Sequence, residues 1–511
     1  MVDGTVVTDV ETGSGSCRRN FPRGDTDDRL LYWAVFMVAT VLIIINITRL
    51  FDFNFWGDEV YSILVSRYTT EDIIIYAKDV DSHPPLFNLM LSFVTAIFGQ
   101  NAFAYHFTPF IAYIGIMVLG LTFVRKNFGS VSAIIFMLLA TLLDSSIVFI
   151  TEVRMYELGA FLVMASYASM YHIMKDGGKI YFVLFVISSL AAAYTHYYCL
   201  LAVAFFYVGL FFYYVLRHDW KGFRVYFVAG LVTVIGYLPW LLKSAVQTAE
   251  KDTNKFWIPE QPSVRDMLLY FFDCQYSVFF FLLFAIVVVL LFKRNIECRR
   301  SNDSPVQKHE SEYELVWFIS GIVSAVGSIL FGVILSMMTT PLIIERYIYP
   351  VGVVVWLLFS IGVSRITVNR DHRFFFSLFV VAVILFACTS SLCDTMEEEK
   401  EENESTAEII DITYDYLSPG DTIVTNMNHM RKTLGKFYYP DLNISYIDED
   451  TKIVPPIDDS CNNLLYLTSE VRLIDITDQL SQQGYTAVYL TKGNFGSMYN
   501  VVIYELVKIQ V

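Results

Sequence analysis

Charge is scarce in this chain of 511 residues: only 17% are Asp, Glu, Lys or Arg, against 55% hydrophobic and 16% aromatic. A mean hydropathy of +0.49 excludes an ordinary soluble composition. Seven cysteines are scattered without CxxC or ligand-like spacing, which excludes a disulfide framework and a zinc module of the usual pattern. The sequence also has no Gly-rich phosphate loop and no internal repeat. A net charge of −15 argues against nucleic acid as a partner; much of the acid lies in the block Glu397-Glu398-Glu399-Lys400-Glu401-Glu402 and beyond it.

What is abundant is apolar sequence of bilayer-crossing length. Runs at 30–50, 104–124, 129–150, 156–174, 180–195, 198–216, 225–242, 268–292, 314–336, 347–363 and 374–392 read as about eleven transmembrane helices. The expected fold class is a polytopic α-helical membrane protein with a small C-terminal extracytoplasmic α/β domain. Residues 1–29 form a polar tail bearing Arg18, Arg19 and Arg23, without the short apolar core of a cleavable signal, so the first span is expected to be an uncleaved anchor.

The segment 86–98, LFNLMLSFVTAIF, is apolar but too short to cross. Loop charge decides its placement, because Lys and Arg concentrate in short cytoplasmic loops. If 86–98 lies flat on the outer surface, Arg125-Lys126, Lys175 with Lys179, Arg217 to Arg224, Lys293-Arg294 and Arg365 to Arg373 all join the N-terminus on the cytoplasmic side. The expectation is therefore a multi-pass protein of the cell (plasma) membrane with a cytoplasmic N-terminus. Its outer face carries loop 52–100, Glu152 to Glu157, His196, loop 243–267, Glu345-Arg346 and the tail.

Past residue 393 the composition turns soluble. Residues 394–406 read as a solvated acidic linker, and 407–511 as an α/β domain with strands near 422–425, 443–447, 464–467, 487–490 and 501–507.

Two acidic elements stand out between the first apolar runs. Asp58-Glu59 follows Phe55-Trp56-Gly57, interface-type aromatics, and also reads as an acidic first helical turn. Asp81-Ser82-His83-Pro84-Pro85 is a proline-stiffened turn, equally a helix start and a rigid mount for side chains.

Asp-Glu after the first span followed by Asp81-x-His83-Pro84-Pro85-Leu86 resembles the first external loop of the GT-C glycosyltransferases. The likeness is to the dolichyl- or polyprenyl-phosphate-sugar dependent group, which includes protein O-mannosyltransferases and aminoarabinose transferases of lipid A. Glu152-Val-Arg154-Met-Tyr156, Tyr194-Thr-His196-Tyr-Tyr198, Tyr237-Leu-Pro239-Trp240, Phe256-Trp257-Ile-Pro259 and Arg346-Tyr347 occur in the matching order. The resemblance spans roughly residues 30–390 and leaves out the tail.

The resemblance implies an integral membrane hexosyltransferase of the inverting type. It would move a sugar from a polyprenyl-phosphate donor to a lipid, glycan or protein hydroxyl on the extracytoplasmic face, by direct displacement. Asp58 is the expected general base with Glu59 beside it, a neighbouring carboxylate being one means of raising a pKa. Arg346, then Arg154, are expected to meet the donor phosphate. Asp81, His83, Glu152, His196 and Trp257 are expected to contact substrate. Some members of that group bind a divalent metal ion in this region, and Asp81, His83 and His196 are the candidate ligands. Glu152, Glu157 and the in-span Asp144 compete as the second functional acid. Rival readings are a secondary transporter, which calls for repeats and midplane polar residues, and a non-catalytic membrane subunit that uses the tail for binding.

Overall fold

The computed structural model describes residues 25–81, 83–250, 262–300, 305–339, 341–365, 370–448, 453–456, 463–469, 476–496 and 499–509. Among them, seven helices are long and apolar enough to cross a membrane: Leu31–Phe51, Ala102–Phe128, Tyr197–Leu216, Trp220–Lys243, Glu312–Met338, Glu345–Arg365 and Leu378–Tyr416. The pair Ser130–Leu142 and Asp144–Thr151, bent by 72° at its break, is long and apolar enough only when taken together, which gives seven to eight spans. The count of about eleven is thus not reached, although each apolar run is helical. Lys179–Ala193 and Ser277–Lys293 are shorter apolar helices, and Tyr156–Asp176 carries Glu157, Ser166, Ser169 and His172 within its length.

Four helices open the chain and carry loop 52–100. Helix α1 (Asp25–Ile47) ends in a turn, Thr48–Phe51, and an extended stretch then delivers α2 (Gly57–Ser66). Trp56 is extended at the cap of α2, and Glu59 reaches back to accept its backbone N–H at 3.2 Å. Helix α3 (Thr70–Asp79) is capped by Thr69 Oγ1, which accepts the Asp72 N–H at 3.2 Å. Helix α4 (Leu86–Phe98) begins after the two prolines and stops at Gly99, whose φ of 87° favours glycine. Its 13 residues span about 20 Å, short of the ~30 Å hydrocarbon core. Phe93 and Ile97 are exposed on it while Phe87, Leu91 and Val94 are buried, the two-faced pattern of a surface-lying helix.

The last helix runs unbroken from Arg370 to Tyr416. Residues 394–406 are therefore part of a helix and not a linker, although Glu397, Glu398, Lys400, Glu401 and Glu404 are exposed as their charge suggests. No Gly or Pro interrupts these 47 residues, and the Glu-rich stretch is itself helix-favouring. Its polar side chains are also engaged: Glu399 Oε2 accepts from Arg49 Nε at 2.8 Å, and Asn403 Oδ1 accepts the backbone N–H groups of Phe53 and Asn54 at 3.0 and 3.1 Å.

The tail carries β1 (Thr422–Thr425), β2 (Asn443–Tyr446), β3 (Leu464–Ser469), β4 (Tyr485–Phe495) and β5 (Tyr499–Lys508) in the order β2-β1-β3-β5-β4. Strand β1 pairs parallel with β2 and β3, while β5 is antiparallel to β3 and β4. Strand alternation divides the apolar residues. Ile423, Leu465, Leu467 and Ile503 join the core that continues into the membrane part, and Val424, Leu464, Tyr466 and Leu506 form a separate cluster on the other face. The tail is thereby packed onto the helical body.

Candidate active site

Loop 52–56 and the first turn of α2 carry the two acids expected to do the chemistry, and the helix separates them. Successive residues point about 100° apart. Asp58 stays in reach of solvent, its side chain 32% exposed, and its Oδ2 accepts from Arg346 Nη2 at 3.4 Å. Glu59 turns inward: its Oε1 accepts the Val153 N–H at 2.8 Å and its Oε2 the Trp56 N–H. Burial, then the Glu152 carboxylate, pushes the Glu59 carboxyl up to about 8. The geometry gives Glu59 a role in joining α2 to segment 152–155.

Glu152 is buried too, and its Oε1 accepts from Trp56 Nε1 at 3.2 Å. Burial holds its carboxyl up at about 7 against the lowering influence of Arg154 and Arg346. Arg154 is buried and donates through Nη1 to the Asp58 carbonyl at 3.2 Å and to Ser62 Oγ at 2.9 Å. The Arg346 guanidinium lies 5.4 Å over the Trp56 ring and 5.9 Å over that of Tyr156. Among the described residues, Arg154 Nε and the Tyr156 hydroxyl are buried donors without a hydrogen-bond partner. Two guanidiniums, one with an unmatched Nε, and the unmatched Tyr156 hydroxyl stand among Asp58, Glu152 and Asp81, and these donors suit an anion.

Asp81 and His83 form a local pair. Asp81 Oδ1 accepts from the His83 backbone N–H at 3.0 Å and lies 3.1 Å from His83 Nδ1. Burial alone would raise the Asp81 carboxyl, yet the bonds and charge of His83 carry it down to about 2. The His83 ring stacks on His196 at 5.5 Å, and His196 in turn lies 4.9 Å from Tyr347 and 5.9 Å from Tyr156. His196 Nδ1 accepts the Tyr198 N–H at 3.2 Å; burial, then the positive charge around it, hold the ring well below its ordinary pKa.

This arrangement does not fit a divalent ion held by Asp81, His83 and His196. The two rings stack face to face, His196 Nδ1 is spent on a backbone donor, and two arginines stand nearby. No cluster of three His, Cys, Asp or Glu among the described residues has a metal-holding arrangement.

The other competitors for the second acid lie elsewhere. Glu157 accepts from the Tyr349 hydroxyl at 2.6 Å, and Asp144 accepts from Ser391 Oγ at 2.6 Å. Trp257 falls outside the described residues.

Several contributors have no signal in the sequence. The Tyr61 ring, in the middle of α2, lies 6.1 Å from that of Tyr76, and Ser62 holds Arg154. Tyr438 of the tail accepts the Phe55 N–H at 2.7 Å and donates to the Phe53 carbonyl at 2.9 Å, gripping the loop that delivers Asp58. Trp56 is marked only by its type, as an interface aromatic.

No family model and no curated protein matches the chain. Solved structures do. ArnT from Cupriavidus metallidurans in the apo state superposes with a TM-score of 0.57 and 14% identity, covering 94% of this chain and 98% of that one. The structure of ArnT from the same organism bound to undecaprenyl phosphate gives 0.54 and 15%, covering 93% and 97%. The chain is a multi-pass membrane protein with an ArnT-like fold, the fold that its ordered motifs led one to expect.

Proposed function

We propose that this protein is an integral membrane glycosyltransferase. It moves a sugar from a polyprenyl-phosphate donor to an acceptor hydroxyl at the extracytoplasmic face. The observation that carries the reading is the pairing of Asp58 with Arg346, beside Arg154 Nε and the Tyr156 hydroxyl. An ArnT structure of the same fold is bound to undecaprenyl phosphate, a lipid of the required chemistry. The gathering of loop 52–100, segment 152–156, His196 and Arg346 at one end of the bundle supports an outer-face site.

Asp58 takes the proton of the acceptor hydroxyl, whose oxygen attacks the anomeric carbon from the side opposite the phosphate. The bond from that carbon to the phosphate oxygen breaks, and the polyprenyl phosphate leaves with its negative charge met by Arg346 and Arg154. One displacement inverts the anomeric centre. The 3.4 Å Asp58–Arg346 pair is long for a charge-assisted bond. A donor phosphate competes for the guanidinium and leaves Asp58 free to accept a proton.

The test uses purified full-length protein with radiolabelled polyprenyl-phosphate mannose, glucose and aminoarabinose in turn, in membrane extract as the acceptor source. Release of labelled sugar from one donor, to acceptor or to water, is expected. No turnover of any of them would favour a non-catalytic subunit.

A further inference from the structure

Basic residues in the tail are distributed unevenly. Residues 407–511 hold fourteen acids and seven Lys or Arg, yet Arg431, Lys432 and Lys436 fall within six positions, and no acid stands between Asp421 and Asp441. All three are exposed. Arg67, exposed at the end of α2, adds a fourth cation, its guanidinium 5.4 Å over the Phe437 ring. None of the four makes an ion pair among the described residues. Clustered like charges repel, and this acid-rich domain has carboxylates to spare. Arg431 lies 5.0 Å over the Tyr446 ring and Arg67 donates to the Tyr105 hydroxyl at 3.3 Å, but among the described residues no carboxylate pairs with any of the four, which leaves their charge to an anionic ligand.

Its position relates it to Asp58. The short helical stretch Met430–Leu434 and Gly435–Tyr438 lies along α2. His429 sits so close that a Cβ at Gly57 would lie 2.5 Å from its Nδ1, and the Phe437 ring lies 5.6 Å from that of Phe55 and underlies Arg67. Gly57 precedes Asp58, so the basic stretch packs beside the loop and first turn that carry the proposed base. Tyr68, next to Arg67, is 47% exposed, and its ring lies 5.7 Å from that of Tyr76. Exposed tyrosine faces suit sugar rings, and guanidinium and ammonium groups suit carboxylate, sulfate or phosphate. No large hydrophobic residue is exposed between His429 and Pro440, so the strip lacks the apolar anchor of a membrane-binding helix.

We infer that this strip and the end of α2 form a docking site for an acidic glycan, the acceptor whose hydroxyl is presented to Asp58. The inference rests on the glycosyltransferase reading and adds the chemical class of its acceptor.

The test measures binding without donor. Full-length protein in detergent is titrated with hexagalacturonate, with neutral maltohexaose and with phosphatidylglycerol vesicles. A variant carrying Arg431→Gln, Lys432→Gln and Lys436→Gln, all exposed and outside the proposed chemistry, is compared, with its Tm checked against wild type. Expected are hexagalacturonate binding at least roughly tenfold tighter than maltohexaose, weakening as salt rises from about 50 to about 300 mM, and a loss of about tenfold or more in the variant at unchanged Tm. Equal binding of the two sugars, no hexagalacturonate binding, or a variant that binds as wild type overturns the inference. Vesicle binding in place of sugar binding assigns the strip to a lipid surface and also overturns it. Donor turnover is read separately, so failure of the glycosyltransferase reading shows as silent donors whatever the titration gives.

Discussion

Arg346 Nη2 donates to Asp58 Oδ2 at 3.4 Å, joining two partly exposed residues 288 positions apart. Arg154 touches the same residue from beneath, through the Asp58 carbonyl. The two arginines therefore differ in what their loss exposes.

Arg346→Gln is expected to leave stability nearly unchanged, since partly exposed ion pairs contribute about 0–1 kcal/mol. It should raise the donor KM by about tenfold or more through loss of a charge-assisted phosphate contact. Arg154→Gln, by contrast, removes a buried cation facing Asp58, Asp81 and Glu152. It should cost about 3–5 kcal/mol. Thermal unfolding in detergent beside donor kinetics checks the contrast; equal Tm losses would contradict it.

The buried Glu59 carboxyl gives stability a definite pH dependence. Its ordinary pKa of 4.5 applies to the unfolded chain, and in the fold it lies near 8. Unfolding thus releases a proton throughout that window, and folding stability declines as pH rises from 4.5 to 8, by up to about 1.4 kcal/mol per unit for one group. Glu152, near 7, adds to the same slope. Glu59→Gln keeps one oxygen for the Val153 N–H and should flatten the slope by about one proton. Denaturation midpoints measured across this range check it, and an unaltered slope would contradict the assignment.

Tyr438→Phe removes the hydroxyl that bonds Phe53 O and Phe55 N, and the expected loss is about 1–3 kcal/mol. Because the loop sets the position of Asp58, kcat should fall while donor KM stays within about twofold. A change in KM alone would show that the tail does not act on Asp58.

The sequence made the apolar runs, the polar loops between them and the tail strands legible, because each rests on local pattern: run length, loop composition, or alternation. At 394–406 charge density pointed to a linker, and only the solvated part of that reading holds. That stretch instead continues the helix and meets Arg49 and loop 53–54, which lie about 350 positions earlier. Asp58 and Glu59 are adjacent in sequence, and only the helix reveals that one stays partly exposed and the other faces the interior. Tyr61, Ser62 and Tyr438 act through partners distant in sequence or through side-chain direction, neither of which leaves a mark in a single chain.

The most direct measurement is sugar transfer by Asp58→Asn beside wild type, at matched Tm and donor affinity. The substitution keeps the side-chain shape and removes the proton acceptor, so transfer should fall by about 10²- to 10⁴-fold. Transfer within about twofold of wild type would contradict the account, because no general base at Asp58 is then required.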